Sequence, residues 1–336
     1  MNRRDLMRAV LAGTALPALA SPAVRAQGTA PGTAPGTTAG FERTIRIIVP
    51  NAPGGTSDIL ARLIAPEMTR ILGQTVVIEN RAGAAGNIGA DAVAKSAPDG
   101  HTLLLMDVST LAINPSLFPR MPFDVQKDLA PVSMLIYAPY LLATKTALPV
   151  RDAATFAAYA KANPGLNVAN AGVGSLTHLT SAELGTFLGG NFTQVPYRGG
   201  APALLAVTTG EADLIVNGAT ATIPFVKNNQ MRGIAVSGEH RLEGLPDVPT
   251  FKELGWPMQD SGTWQGIMVQ GNTPRPLVEK LHAALRQVVA VPAIATRFKE
   301  LGAEARTDGP EAFREWLTRS TPAFGRIVQA NNIRAE

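Results

Sequence analysis

The chain of 336 residues contains no cysteine, so neither a disulfide framework nor thiolate chemistry is open to it. Aromatic residues make up only 5% of it, and no basic stretch with interleaved aromatics occurs, which argues against nucleic acid as a partner. The four histidines (101, 178, 240 and 282) show no H-x-x-x-H spacing and no accompanying carboxylate cluster, so no metal site is expected. The apolar run near the start, AVLAGTALPALA (9–20), is 12 residues long and broken by Pro17, too short to span a bilayer.

What is present around that run has the parts of an export signal. MNRRDLMR supplies a basic start with Arg3-Arg4, and VRA (24–26) offers the small residues that a signal peptidase reads. The pattern N-R-R-D-L-M fits a twin-arginine signal, a Sec signal with paired arginines being the alternative. Cleavage is expected after Ala26, placing the mature chain in the periplasm without membrane insertion. Residues 1–26 carry Arg3, Arg4, Arg8 and Arg25 against Asp5, three of the net +4 charges, which leaves the mature chain near +1. The basic pI therefore belongs mostly to the signal. GTAPGTAPGTTAG (28–40) is low-complexity and reads as a flexible tether over 27–43, with structure beginning near Thr44.

Beyond it, short β-branched runs alternate with helical patterns. IRIIV (45–49) is a buried strand, and DILARLIAPEMTRIL (58–72) sets Ile59, Leu63, Ile64, Met68 and Ile71 on one helix face. TVVIE (75–79) and HTLLLM (101–106) are strands flanking a glycine-rich loop and a short helix. YLLAT (140–144), LNVAN (166–170), TQVPY (193–197), DLIVN (213–217) and RGIAVS (232–237) continue the series with helices between them. The rhythm predicts parallel strands with helices on both faces. Two long amphipathic helices, PLVEKLHAALRQVVA and PEAFREWLTRSTPAFGRIV, close the chain; the second is expected to bury Phe313, Trp316, Leu317 and Ile327.

Three strand–glycine–helix junctions carry the chemistry. VPNAPGGTSDIL (49–60) lacks the lysine of a Walker loop, since Thr56 follows Gly55, and lacks the third glycine of a dinucleotide fingerprint. What remains is a Gly-Gly turn and hydroxyls at a helix start, where free N–H groups and the helix dipole favour a carboxylate. The alternative is that Thr56, Ser57 and Asp58 only cap their own helix. LNVANAGVGSLTHL (166–179) and QVPYRGGAPALL (194–205) repeat the arrangement. If the three converge, they line a pocket with N–H donors and hydroxyls that suits a small carboxylate and needs no metal. Catalysis has thin support: G-V-G-S-L is not the G-x-S-x-G elbow, and Ser175 with His178 three residues on is poorly placed for a Ser–His pair.

VPNAPGGTSDILARLIAP, ENRAGAAGNIGADAVAKSAPDGHTLLL, INPSLF, VPYRGGAPALLAVTTGEADL and LPDVPTFKELG together resemble the receptors of tripartite tricarboxylate transporters, the Bug family. The resemblance runs from about Ile45 to the C-terminus. It implies a type II periplasmic-binding-protein fold, with two α/β lobes (44–140 plus 236–336, and 141–235) joined by two crossing strands and closing on a ligand in the cleft. It also implies a monomeric receptor without cofactor or catalysis, which captures a mono-, di- or tricarboxylate, amino acid or aromatic acid and delivers it to membrane permease subunits. Presentation of the closed form to a membrane sensor is the alternative, and a secreted serine hydrolase built around Ser175 or Ser109 a more distant one.

By position, the resemblance makes Asn51, Ala52, Gly54, Gly55, Thr56, Ser57 and Asp58 the first ligand-binding loop. It adds Ser109 after the third strand, then Gly174, Ser175, Thr177, His178, Tyr197, Arg198, Gly199 and Asn217 from the second lobe, with Trp264 as a further wall. The chain departs from the family in having Asn51 where an aromatic is common, Arg198 where lysine is frequent, and Asn217 where aspartate is frequent. The last departure disfavours a ligand bearing an ammonium group. The loop 106–112 is one residue shorter than usual, which bears on Ser109.

Overall fold

The computed structural model describes residues 40–118, 120–258, 261–330 and 333; the expected signal and the tether up to residue 39 lie outside them. Ten strands are present among the described residues: β1 (Ile45–Val49), β2 (Val76–Asn80), β3 (Thr102–Asp107), β4 (Leu129–Lys145), β5 (Asn167–Asn170), β6 (Thr193–Pro196), β7 (Leu214–Gly218), β8 (Met231–Val236), β9 (Gly262–Gln270) and β10 (Glu304–Ala305). They follow the order β2-β1-β3-β9-β4-β7-β5-β6, with β8 and β10 also pairing with β4.

The expected parallel rhythm holds at both ends of this path and fails in the middle. β2, β1 and β3 are mutually parallel, as are β6, β5 and β7, each set built from strand–helix–strand units. β9 and β4 run antiparallel to their neighbours. The 17-residue β4 joins the two halves. Its segment Leu129–Pro139 pairs with β9 in one lobe, and Tyr140–Lys145 pairs with β7 and β8 in the other. Only its last third was legible as a strand, because Pro131, Ser133 and Pro139 punctuate the rest. The register shifts beside Pro131–Ser133 and Met134–Ile136 show how the prolines are accommodated, by local irregularity in the ladder.

The second connection lies alongside the first. β8 ends with Val236 opposite Leu141, and β9 begins with Gly262 opposite Pro139, so the two lie end to end along β4. Ser237 ties the junction: its Oγ accepts from the Tyr140 N–H at 2.7 Å and donates to the Ser261 carbonyl. The chain between them makes an excursion that includes the helical turn Phe251–Leu254. Two α/β lobes joined by two crossing connections constitute the type II periplasmic-binding-protein fold.

Each lobe has its own core. In the first, Ile45, Ile47 and Val49 meet Leu60, Ile64 and Met68 of the helix Thr56–Leu72 and Leu281, Leu285 and Val288 of the helix Arg275–Ala290. The buried face of Thr56–Leu72 is Leu60, Ala61, Ile64, Ala65 and Met68, one position from the face marked by its large residues. Leu63 and Ile71 pack at its edge, while Ile59 turns toward Ala203 and Leu204 of the second lobe. In that lobe Leu142, Val168, Leu214 and Val216 surround Phe156 and Leu184.

Three packing contacts lie across the expected boundaries. Phe41, placed in the tether, is buried against His101 (ring centroids 5.3 Å apart, edge-on), so the core begins before Thr44. Phe251 and Trp256, placed in the first lobe, pack into the second lobe's cluster. The last helix, Pro310–Ala330, buries Phe313 and Leu317 beside Met268 of the first lobe and Val328 beside second-lobe residues; Trp316 is only partly buried, and the side chain of Ile327 lies outside the described residues.

Candidate functional site

The first glycine junction leads from β1 into the helix Thr56–Leu72. Gly54 holds φ +87°, a left-handed conformation natural to glycine, and Gly55 caps the helix without a side-chain hydrogen bond. The Gly54 N–H donates to Asp58 Oδ2 at 2.9 Å, and Asp58 also accepts from Arg62 (Nε 3.0 Å) and Asn80 (Nδ2 3.0 Å). Burial opposes ionisation of Asp58, yet the hydrogen bonds from Arg62, Gly54 and Asn80 outweigh it and hold its carboxyl below the usual range. Asp58 is thus a brace behind the loop, and it uses the Gly54 N–H expected for a ligand. The first-turn N–H groups that follow have no intrahelical partner.

The second junction leads from β5 into the helix Leu176–Phe187. Gly174 sits at φ +72°, and a Cβ there would lie 2.1 Å from Leu117 Cδ1, so any larger residue requires Leu117 to move. Its N–H donates to His178 Nδ1 at 2.9 Å. Burial pushes the His178 imidazole below its usual pKa, which favours the neutral ring that this bond requires. The Ser175 hydroxyl donates to the Gly172 carbonyl at 2.7 Å and lies 2.8 Å from Thr177 Oγ1. It meets His178 only through that residue's backbone N–H, so the Ser–His pair of a hydrolase is not formed.

The third junction, before the helix Gly200–Thr208, closes against the first. A Cβ on Gly199 would lie 3.5 Å from Asn51 Nδ2, one on Gly54 3.6 Å from Ala201 Cβ, and one on Gly218 2.8 Å from Thr56 Oγ1. The two lobes therefore touch through residues with minimal side chains. Substitution at Gly218 would wedge them apart.

Between the three junctions lies a cavity of about 70 Å³. Its walls include Asn51, Gly55, Thr56 and Ser57 from the first junction, Ser175 and Thr177 from the second, and Asn217 at the end of β7. A second, outer cavity of about 260 Å³ shares Asn51, Ala85 and Ala171 with it and is lined by Tyr197, Arg198 and Gly199. The expected residues thus divide between two adjoining spaces. Arg198 is exposed at the outer one, and the Tyr197 hydroxyl is held by Glu211 at 2.9 Å.

Ala52, Gly54, Asp58, Ser109, Gly174, His178 and Trp264 line neither cavity. Gly54, Asp58, Gly174 and His178 instead shape the loops that do. Ser109 is fully buried, and its N–H donates to Asp107 at 2.9 Å; Asp107 and Thr110 stand at the wall in its place. Trp264 lies between Thr263 and Gln265, which both line the cavity, so strand alternation turns it to the opposite face, where its ring packs at a tilt against Tyr137 (centroids 4.8 Å apart) and Trp316 (5.8 Å).

The residues that sequence reasoning missed form the cavity floor. Ser57 Oγ donates to Gln265 Oε1 at 2.8 Å, and Gln265 Nε2 donates to Thr263 Oγ1 at 2.6 Å. Thr263 in turn hydrogen-bonds Asp107, which also accepts from the Trp264 N–H. Burial pushes the Asp107 carboxyl up to about 6 against these hydrogen bonds. It is half-buried and lines the cavity. Tyr140 is 1% exposed, lines the same cavity, and its hydroxyl has no partner among the described residues. The T-x-Q alternation in β9 was a readable signal of one polar face. Asp107 could have been noticed as the lone acid ending an apolar strand, whereas nothing local marks Tyr140.

Among the described residues no cluster of acids and histidines could hold a metal ion, and no helix is long and apolar enough to cross a membrane. The family of tripartite tricarboxylate transporter receptors matches residues 60–333, a span that includes every cavity-lining residue except those of the first junction. Among solved structures, the periplasmic binding protein BugD is 32% identical, with a TM-score of 0.83 over 88% of this chain and 100% of that one. MatC from Rhodopseudomonas palustris, with malate bound, is 34% identical, with a TM-score of 0.79 over 85% of this chain and 99% of that one. Rpa4515 of R. palustris, with adipate, is 30% identical, with a TM-score of 0.83 over 87% and 98%.

Proposed function

The chain belongs to the family of tripartite tricarboxylate transporter receptors, and from that premise we propose that it is a periplasmic solute-binding receptor that captures a small organic acid and delivers it to the membrane permease subunits of such a transporter. The observation that carries this reading is the convergence of glycine-led helix starts from two lobes on one cavity walled by hydroxyls and amides. First-turn N–H groups at a helix start favour an anion, each end contributing about 0.3–1 kcal/mol when exposed and more when partly buried. The relatives point the same way: MatC holds malate and Rpa4515 holds adipate, both small dicarboxylates.

Capture works by population shift. The lobes, taken as 44–140 plus 236–336 and 141–235, rock about the junction of β4, β8 and β9. A ligand that touches both lobes stabilises the closed form in proportion to the contacts that only closure provides. In the ligand site, Asn51, Gly55, Thr56 and Ser57 contribute from one lobe, and Ser175, Thr177 and Asn217 from the other, while Arg198 receives the part that extends into the outer cavity. Hydroxyls, amides and bridging waters tolerate varied acids more readily than a single buried ion pair does.

The test is mass spectrometry of whatever co-purifies with the mature protein, together with a thermal-shift panel of organic acids and amino acids. A bound carboxylate at about 100 times its Kd is expected to stabilise the protein by about 2.7 kcal/mol and raise its Tm. A protein that purifies empty and that no acid in the panel stabilises overturns the proposal.

A further inference from the structure

We propose that the inner cavity is built for an acid that also carries an ammonium group, with Asp107 as the acceptor that selects it. This rests on the carboxylate-receptor reading and narrows its ligand to an amino acid, reversing the expectation drawn from Asn217, because Asp107 supplies the acid on the same wall that position 217 lacks.

The argument begins with charge. Among the described residues lining the inner cavity, Asp107 is the only acid, and no lysine, arginine or histidine faces it. Tyr140, on β4, is the only other ionisable group on the wall; the groups that reach Asp107 from behind, the Ser109 N–H and hydroxyl, the Trp264 N–H and the Thr263 hydroxyl, are all neutral. The donors supplied by the protein fix the carboxylate's orientation, and none of them brings a positive charge to it. A buried anion without a counter-charge is unfavourable unless something that binds there supplies one. A second carboxylate placed beside it meets like-charge repulsion, which an ammonium group converts into attraction.

The second observation is Tyr140. Its hydroxyl is buried, lines the same cavity, has no partner among the described residues, and is close enough for the charge of Asp107 to act on it. It is a donor awaiting an acceptor. The cavity therefore offers donors for a carboxylate (Tyr140, the hydroxyls and the helix starts) and one charged acceptor for an ammonium. Arg198 in the adjoining outer cavity adds a place for a second carboxylate, so that an acidic amino acid fits the arrangement best.

The test is titration calorimetry of the wild-type protein and D107N at pH 7.5 with matched pairs that differ only in the amino group, L-aspartate against succinate and L-glutamate against glutarate. The wild type is expected to prefer the amino acid of at least one pair by tenfold or more. D107N is expected to abolish that preference, weakening the amino acid by tenfold or more and leaving the plain diacid equal or tighter. A readout independent of the variant is the proton count at pH 6 in two buffers of different ionisation enthalpy, where amino-acid binding is expected to release protons from Asp107. Plain diacids that bind the wild type as tightly as their amino partners, or that take up protons with D107N tightening both alike, overturn this inference and leave the carboxylate reading standing. If no member of either pair binds, no amino acid of this kind is the ligand and the inference falls; the co-purification and acid-panel experiment then decides whether the carboxylate reading falls too.

Discussion

The loops of residues 51–58 and 172–178 are built alike and braced differently. In each, a glycine with positive φ donates its N–H to the side chain four residues on, Gly54 to Asp58 and Gly174 to His178, both at 2.9 Å. In the first loop the acceptor is a carboxylate locked by Arg62 and Asn80. In the second it is a half-buried neutral imidazole, among hydroxyls that hydrogen-bond one another. The glycines thus contribute shape, and their N–H groups are taken by the protein. The difference also separates a brace that hydrogen bonds hold in its charged form from one that burial holds in its neutral form.

The largest test of that comparison is steric. Gly174→Ala combines a left-handed alanine with a Cβ 2.1 Å from Leu117 Cδ1, and is expected to cost about 2–4 kcal/mol in urea unfolding. Gly54→Ala meets only Ala201 Cβ at 3.6 Å, so strain alone, about 1–2 kcal/mol, is expected. Equal costs would show that the second loop yields where the structure holds it tight.

Next comes pH. Because burial lowers the His178 pKa, its contribution is present above the unfolded value near 6.5 and is lost as pH falls through the folded value. Asp107 acts in the opposite sense: its raised pKa withholds stability above about 6, and that stability returns as pH falls toward 4. Comparing the wild type with His178→Gln cancels Asp107, which both proteins share. The Tm difference between pH 7.5 and pH 5 is expected to be larger in the wild type. An identical pH profile in the variant would break the contrast between the two braces.

The smallest expected effect is Arg62→Ala. The Arg62 side chain is 57% exposed, so its bond to Asp58 is well screened, and a loss of about 0.5–1 kcal/mol is expected by urea unfolding. A loss several times larger would mean that the first loop depends on Arg62 as much as the second depends on Gly174.

Much of this molecule was legible locally. β1, β5 and β7 read as short apolar runs, and the three glycine turns announced helix starts after strands. The expected site residues Asn51, Gly55, Thr56, Ser57, Ser175, Thr177 and Asn217 do meet at one cavity. Ser109 and Trp264, expected at the site, line neither cavity: Ser109 is fully buried beside Asp107, and at Trp264 one residue along a strand reverses the face. Asp58 and His178 were recognised as loop residues, but their bonds to the glycine N–H groups depend on backbone geometry four residues away.

By itself the sequence determined the strand–helix alternation at the two parallel ends of the sheet, the glycine-led helix starts and the family, because these follow from hydrophobic period and turn chemistry within a few residues. Only the tertiary structure decided that Tyr140 of β4, Thr263 and Gln265 of β9 and Asp107 of β3 share one floor. Those side chains come from strands far apart in the chain, and their meeting depends on the antiparallel register of β9 against β3 and β4. A buried carboxylate acquires its charge environment from such neighbours, so its chemistry cannot be read from the residues beside it in the chain.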